Sequence, residues 1–204
     1  MKLKKLLPEL VEGIVEAGFD KEPREIQGLT VPKIKSGADM FVIAPEGAGK
    51  STAALIGVIQ QLKQEFEKAP RAIIVVSTKE KAFALDEQFE MLAKHTSLRS
   101  LRVFDQGNLK YQKDMIYEGI DVLITTPKRL GELMNNSGVP LVKVKMLVVD
   151  DAETIFLSQN HTIIHRIADG IEKTQFIICS NTWNSKFNDL SERIMKNPLV
   201  IKLS

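Results

Sequence analysis

Seven short apolar runs decide what this chain can fold into: "MFVIA" (40–44), "AIIVV" (72–76), "LRVF" (101–104), "DVLIT" (121–125), "KMLVV" (145–149), "QFIIC" (175–179) and "LVIKL" (199–203). Each is rich in β-branched residues and too short to cross a membrane as a helix, so each predicts a strand. The runs are continuous rather than alternating, which is the pattern of strands buried on both faces. Between them lie stretches of helical period, such as "STAALIGVIQQLKQEF" and "KEKAFALDEQFEMLAKH", with charges on one face. Strands alternating with helices predict an α/β fold: a doubly wound, mostly parallel sheet flanked by helices on both faces. Leu6, Leu7, Leu10, Val11, Ile14 and Val15 recur at helical spacing and add an opening amphipathic helix that ends near Gly18. With 204 residues and 44% hydrophobic content the chain can fill one core, so residues 1–204 are read as a single domain. "NNSGVP" (135–140) reads as a loop.

Charge and cysteine usage narrow the function classes only a little. A formal net charge of +2 neither demands nor excludes a polyanionic partner, so any nucleic-acid argument must rest on placed residues. The single cysteine, Cys179, has no intrachain partner and sits inside an apolar run, where a buried thiol in a reducing cytoplasm is the expectation. The first residues carry the lysines of a signal peptide, but Pro8, Glu9, Glu12 and Glu16 interrupt any apolar segment. No later stretch approaches the ~20 apolar residues of a membrane span, and a cytoplasmic protein with no membrane partner is expected.

In sheets of this kind ligands bind beyond the carboxyl ends of the strands. The first strand leaves into "APEGAGKST" (44–52), followed at once by a helical pattern. Ala44, four residues, then Gly49, Lys50 and Ser51 make a phosphate-binding loop with Ala in place of the usual first Gly. Gly47 and Gly49 let backbone amides curve around phosphate oxygens, Lys50 supplies a point charge, and the Ser51 hydroxyl can ligate Mg²⁺ at a helix N-terminus. The fifth apolar run delivers Asp150, Asp151 and Glu153 at its exit. A carboxylate there is what a phosphate loop needs opposite its hydroxyl: Asp150 fits a Mg²⁺ ligand, and Asp151 is placed to orient or deprotonate an attacking water. The same acids would equally suit the charged first turn of a helix.

With these residues in view the chain resembles the DEAD-box ATP-dependent RNA helicases, over nearly its whole length. "APEGAGKST", "VVDDAETIF" (148–156) and "CSNT" (179–182) stand in the order of that family's motifs I, II and III. "GFDKEPREIQ" (18–27) resembles the Q motif, which implies that Gln27 reads the adenine edge and Phe19 stacks on its ring. The N-terminal helix and Q-motif-like segment would then occupy residues 1–27 and the phosphate-loop core residues 28–204. "STKEKA" (77–82) sits where the family has PTRELA, "DQGNL" (105–109) where it has a glycine pair, and "TTPKRL" (125–130) where it has TPGR. The resemblance implies the first of two RecA-like domains, binding ATP and Mg²⁺. Its nucleotide contacts would come from Phe19, Gln27 and Pro45, Glu46, Gly47, Ala48, Gly49, Lys50, Ser51 and Thr52, with Lys50, Asp150 and Asp151 in catalytic roles. It implies that one RNA strand is gripped along its backbone by Thr78, Lys79, Gly107, Thr126, Lys128 and Arg129. Glu153, Ser180 and Thr182 would form the contact that links hydrolysis to unwinding.

The departures fall on chemistry. D-E-A-D reads Asp150, Asp151, Ala152, Glu153, so the water-positioning carboxylate retreats by ~1.5 Å, and impaired hydrolysis is expected. S-A-T reads Ser180, Asn181, Thr182, which loosens the expected coupling, and Glu46 places a negative charge beside phosphates. The family's second RecA-like domain, with an arginine worth ~10³–10⁵ in rate in comparable systems, must be supplied in cis or trans. Two function classes follow: an ATP- and RNA-binding helicase domain that turns over only with that second domain, or an inactive relative serving as a nucleotide-sensing or interaction module. His161 and His165 share helical spacing but lack a third ligand, and Trp183 reads as sheet packing in preference to an interface anchor.

Overall fold

The computed structural model describes residues 3–21, 23–159 and 161–203. The chain runs α1 (Pro8–Glu16), α2 (Glu25–Lys35), β1 (Met40–Ile43), α3 (Lys50–Leu62), β2 (Ala72–Val75), α4 (Lys79–Ala93), β3 (Ser100–Val103), α5 (Leu109–Glu118), β4 (Val122–Thr125), α6 (Pro127–Asn135), β5 (Met146–Val149), α7 (Ala152–Leu157), α8 (His161–Asp169), β6 (Gln175–Ser180), α9 (Phe187–Arg193) and β7 (Leu199–Lys202). All seven apolar runs form strands, and they join one seven-stranded sheet in the order β3-β4-β2-β5-β6-β1-β7. Every pairing is parallel. The expected mixture of directions reduces to one because each connection passes through a helix.

Two apolar layers sandwich the sheet. Val42, Ile74, Val148 and Ile177 face one layer, with α1 to α4. Phe41, Ile73, Leu147 and Ile178 face the other, with α6 to α9. Consecutive residues of one strand thus serve opposite layers, which is why the central runs are apolar without interruption. Close helix packing depends on a missing side chain: a Cβ at Gly57 of α3 would lie 2.6 Å from Ile34 Cδ1 of α2. Cys179 is fully buried, and burial pushes its thiol well above the ordinary range. Trp183 packs on Phe41 at a ring separation of 5.1 Å while remaining 44% exposed, so it is neither wholly core nor wholly free surface.

The amino-terminal rim of the sheet is fastened by a charge cluster. Asp121 is fully buried and accepts from Arg71 at 2.6 Å and Arg99 at 2.9 Å, and from the Phe66 and Arg99 amides. This joins the starts of β2 and β4 to the loop before β3. The opposite, carboxyl-terminal rim is where the motif residues gather.

Candidate nucleotide and nucleic-acid site

The sheet order, read from β1 inward, is β1-β6-β5-β2. Four stretches far apart in sequence therefore leave the sheet side by side: the loop at 44–49, Asn181, the Asp150–Asp151 pair and the start of α4. The loop after β1 turns on two left-handed glycines, Gly47 with φ 75° and Gly49 with φ 94°, a conformation costly for residues with a Cβ. Gly49 is also crowded, since a Cβ there would lie 3.2 Å from Gln27 Nε2 and 3.0 Å from Arg24 Cδ. Lys50, 8% exposed, donates to the carbonyl oxygens of Ala44 at 2.7 Å and Pro45 at 3.0 Å and to Asn181 Oδ1 at 2.8 Å. All three partners are neutral acceptors, so an anion with stronger oxygens can replace them.

Ser51 and Asp150 line the same cleft as Lys50, and the Ser51 hydroxyl offsets part of the cost of burying the Asp150 carboxylate. Burial, and secondly the neighbouring charge of Asp151, push the Asp150 carboxyl up to about 6 against the ordinary 3.8. A buried carboxylate held above its usual range gains from a cation, and a hydroxyl already at its side completes a hard, oxygen-only donor pair suited to Mg²⁺. Glycine cradle, lysine, hydroxyl and carboxylate surround a cleft of about 400 Å³. They fit a magnesium–nucleotide phosphate chain.

Asp151 sits in the left-handed region, φ 53° and ψ 42°, at the N-cap of α7. Both of its oxygens are engaged: Ser77 Oγ donates at 3.1 Å and Lys81 Nζ lies at 2.5 Å. Glu153 Oε2 accepts from the Asn181 amide at 3.0 Å and lies 2.9 Å from Ser180 Oγ. The Ser180 hydroxyl is also 2.6 Å from the Thr182 carbonyl oxygen and can give its one proton to either acceptor. The contact between the fifth and sixth strand exits is thus made despite the longer Glu153 side chain. Gln27 is 3% exposed, its Oε1 accepting from the Arg24 amide at 3.2 Å and its Nε2 facing Gly49. Phe19 and Glu46 line the same cleft. Thr52 accepts from Gln88 of α4 at 2.9 Å.

A second group lies further along the same rim, where β2, β3 and β4 end. Thr78 Oγ1 caps α4 by accepting from the Lys81 amide at 3.3 Å. Lys79 donates to Gln106 at 3.1 Å and lies 5.0 Å from the Phe104 ring centre. Thr126 donates to Asp105 at 3.3 Å, and Lys128 reaches the same carboxylate at 3.5 Å. Arg129 stands apart from the other five nucleic-acid candidates. It is 2% exposed and donates to the Gly107 carbonyl at 2.8 Å, so its side chain holds the loop from below rather than facing solvent. His161 Nδ1 contacts the Ser158 carbonyl oxygen at 2.7 Å.

Residue-type reasoning passed over Lys81, Arg24 and Gln88. The signal for Lys81 was available, because it stands where PTRELA has leucine. Its partner was not, because 70 residues separate it from Asp151 and only adjacency of β2 and β5 joins them.

Comparison with known proteins gives the family and the fold. The DEAD/DEAH box helicase family model matches residues 24–190. A probable ATP-dependent RNA helicase, ddx52 of Dictyostelium discoideum, is 29% identical across 94% of this chain and 29% of its own length. DEAD-box ATP-dependent RNA helicase 8 of Arabidopsis thaliana is 30% identical across 96% of the chain and 38% of its own length. The crystal structure of the yeast DEAD-box splicing factor Prp28 superposes with a TM-score of 0.87 at 18% identity, covering 97% of this chain and 49% of that one. The chain therefore spans less than half the length of these relatives.

Proposed function

Because this chain belongs to the DEAD/DEAH box helicase family, we propose that it works as the ATP-binding and RNA-binding first domain of a helicase, completed by a second RecA-like domain in cis or trans. The observation that supports the reading is that Ser51 and Asp150 line one cleft with Lys50 and the two left-handed glycines. Amides of residues 46–51 would cradle phosphates at the amino end of α3, where the helix dipole favours an anion. Lys50 would exchange its carbonyl and Asn181 partners for phosphate oxygens. Ser51 and Asp150 would hold Mg²⁺, and a nucleoside triphosphate bound with it supplies the anhydride whose cleavage drives the family's cycle. Gln27 and Phe19 would face the adenine, while Thr52 is held by Gln88 to keep the helix start in place. Glu153, Ser180 and Thr182 would carry the state of the phosphates toward the nucleic-acid side.

On that side, Thr78, Lys79, Gly107, Thr126 and Lys128 would meet the backbone of a single RNA strand, with Arg129 acting through the Gly107 carbonyl. Such contacts read charge and shape rather than base identity. One observation favours a second reading, a nucleotide-sensing module that does not turn over: each Asp151 oxygen already carries a contact, one of them with the Lys81 ammonium, so an attacking water would have to share its acceptor.

Titration of the domain with Mg²⁺ and labelled ADP or ATP, beside Lys50→Ala, tests the nucleotide site. Saturable binding that the variant loses is the expected result, and a folded parent that binds neither nucleotide would sink the reading. Asp151→Glu joined to a competent second domain separates the two classes. RNA-stimulated turnover there supports the helicase domain, and its absence despite ATP binding supports the sensing module.

A further inference from the structure

Among the described residues, Lys81 is the cation lining the cleft that pairs with a carboxylate of the strand exits, whereas Lys50 meets neutral acceptors. Its position follows from the sheet. With neighbouring parallel strands about 5 Å apart, β1 and β2 are separated by roughly 14 Å, with β6 and β5 between them. Lys50 spans one of these gaps to reach Asn181 beside β1. Lys81, in the first turn of α4, spans another from the opposite side to reach Asp151. The two ammonium groups thus converge from the two ends of the row upon Asp150 and Asp151. A phosphate chain laid on the loop after β1 must extend toward that acidic pair, since Ser51 and Asp150 fix where its metal would sit. Its distal end would otherwise meet Asp151 and Glu46 with too little positive charge to balance them.

We propose that Lys81 is a specificity-determining residue of the nucleotide site, a cation supplied within this domain that meets the terminal phosphate of a nucleoside triphosphate and makes the cleft prefer triphosphate to diphosphate. The inference rests on the nucleotide site proposed above. Before nucleotide arrives, Asp151 holds Lys81 in place; the Lys81 side chain is 47% exposed, so a small torsional change turns its Nζ into the cleft. Burial works against its charge, but the hydrogen bond to Asp151 and the carboxylates of Asp150 and Glu153 outweigh it and keep the amine protonated. A second donor of Lys81 remains for a phosphate oxygen while the first stays with Asp151.

The alternative explanation of the same contact is that Lys81 merely neutralises Asp151, and a mutant cycle separates the two. Kd values for ADP and for a non-hydrolysable ATP analogue, both with Mg²⁺, are measured by calorimetry for the parent, Lys81→Met, Lys81→Arg, Asp151→Asn and the Lys81→Met/Asp151→Asn pair. For a half-exposed charge-assisted contact the preference for the triphosphate should fall about tenfold in Lys81→Met, with ADP affinity changed by less than about threefold. The reduced preference should persist in the double variant and be restored in Lys81→Arg. Return of the double variant to the parental preference would overturn the proposal, since Lys81 would then only offset Asp151. Equal weakening of both nucleotides would overturn it too. A parent that binds ADP and the analogue with no change in Lys81→Met refutes this inference alone, whereas a parent that binds neither refutes the nucleotide site with it.

Discussion

Replacing Asp150 with asparagine should stabilise this protein in the absence of metal, although it removes the residue assigned to Mg²⁺. Asp150 is 6% exposed at the end of β5, and its carboxyl is raised from 3.8 to about 6 by burial and by the charge of Asp151. The native state thus holds this proton more tightly than the unfolded chain. Its ionisation costs stability above pH 6, and the cost is relieved as pH falls through 6 toward 3.8. At ~1.36 kcal/mol per pH unit the rise corresponds to roughly 3 kcal/mol at pH 8. Asparagine is neutral throughout and nearly the same size. Thermal unfolding in a chelator should therefore show Asp150→Asn melting about 5–10 °C above the parent at pH 8. The difference should shrink toward zero near pH 4, and subtracting the two curves cancels the titrating groups that do not interact with Asp150. A variant less stable than the parent at pH 8, or two curves that stay parallel from pH 8 to pH 4, would refute the reasoning. Either would mean that a cation already compensates Asp150 in the metal-free protein.

Asp121→Asn should cost about 3–5 kcal/mol in urea denaturation, because Arg71 and Arg99 would lose a fully buried counter-charge. Burial alone would raise the Asp121 carboxyl, but hydrogen bonds from Arg99 and Arg71 hold it below 3.8. Its contribution is thus intact above that pH and lost as pH falls through the lower native value. Gly57→Ala should lose about 1–3 kcal/mol in the same assay, since its Cβ would lie 2.6 Å from Ile34 and force α2 and α3 apart. For RNA binding measured across salt concentrations, Lys128→Ala should lower the slope of log K against log salt by about 1. Arg129→Ala should leave that slope unchanged while weakening binding, because its buried side chain supports Gly107 rather than reaching a phosphate.

The strands were legible because parallel strands with helices on both faces need uninterrupted apolar runs. β1, β2, β4 and β5 have no exposed position at all. Direction was less legible: continuous hydrophobicity marks burial, and only the helical length of every connection makes all the pairings parallel. In the site, what could be read locally was the loop at 44–52, because Gly47, Gly49, Lys50 and Ser51 act through their own backbone neighbourhood. The burial of Arg129 could not be read this way. "TTPKRL" looks solvated in sequence, yet α6 turns Lys128 outward and the next residue inward beneath Gly107. A basic residue on an amphipathic helix declares its charge but not its face until the neighbouring loop is placed.

The departures from the family's motifs are linked by contact, which a comparison of motifs one at a time would not reveal. Asp151 is shorter than the family's glutamate, and Lys81, itself a departure, closes on it at 2.5 Å. Asn181 replaces alanine, and its side chain accepts from Lys50 while its amide donates to Glu153, a fourth departure. Of the residues proposed to hold phosphates and Mg²⁺, Gly47, Gly49, Lys50, Ser51 and Asp150 keep the family's types and Glu46 does not, whereas those around the position of an attacking water have changed together. Gly47 and Gly49 suit their left-handed backbone whether or not anything binds there, whereas the buried Asp150 carboxylate costs stability in a protein that binds no cation beside it. Retention of that costly carboxylate beside the Asp151–Lys81 pair favours the reading in which the cleft holds a nucleotide with its metal, which the titration with Mg²⁺ and nucleotide tests.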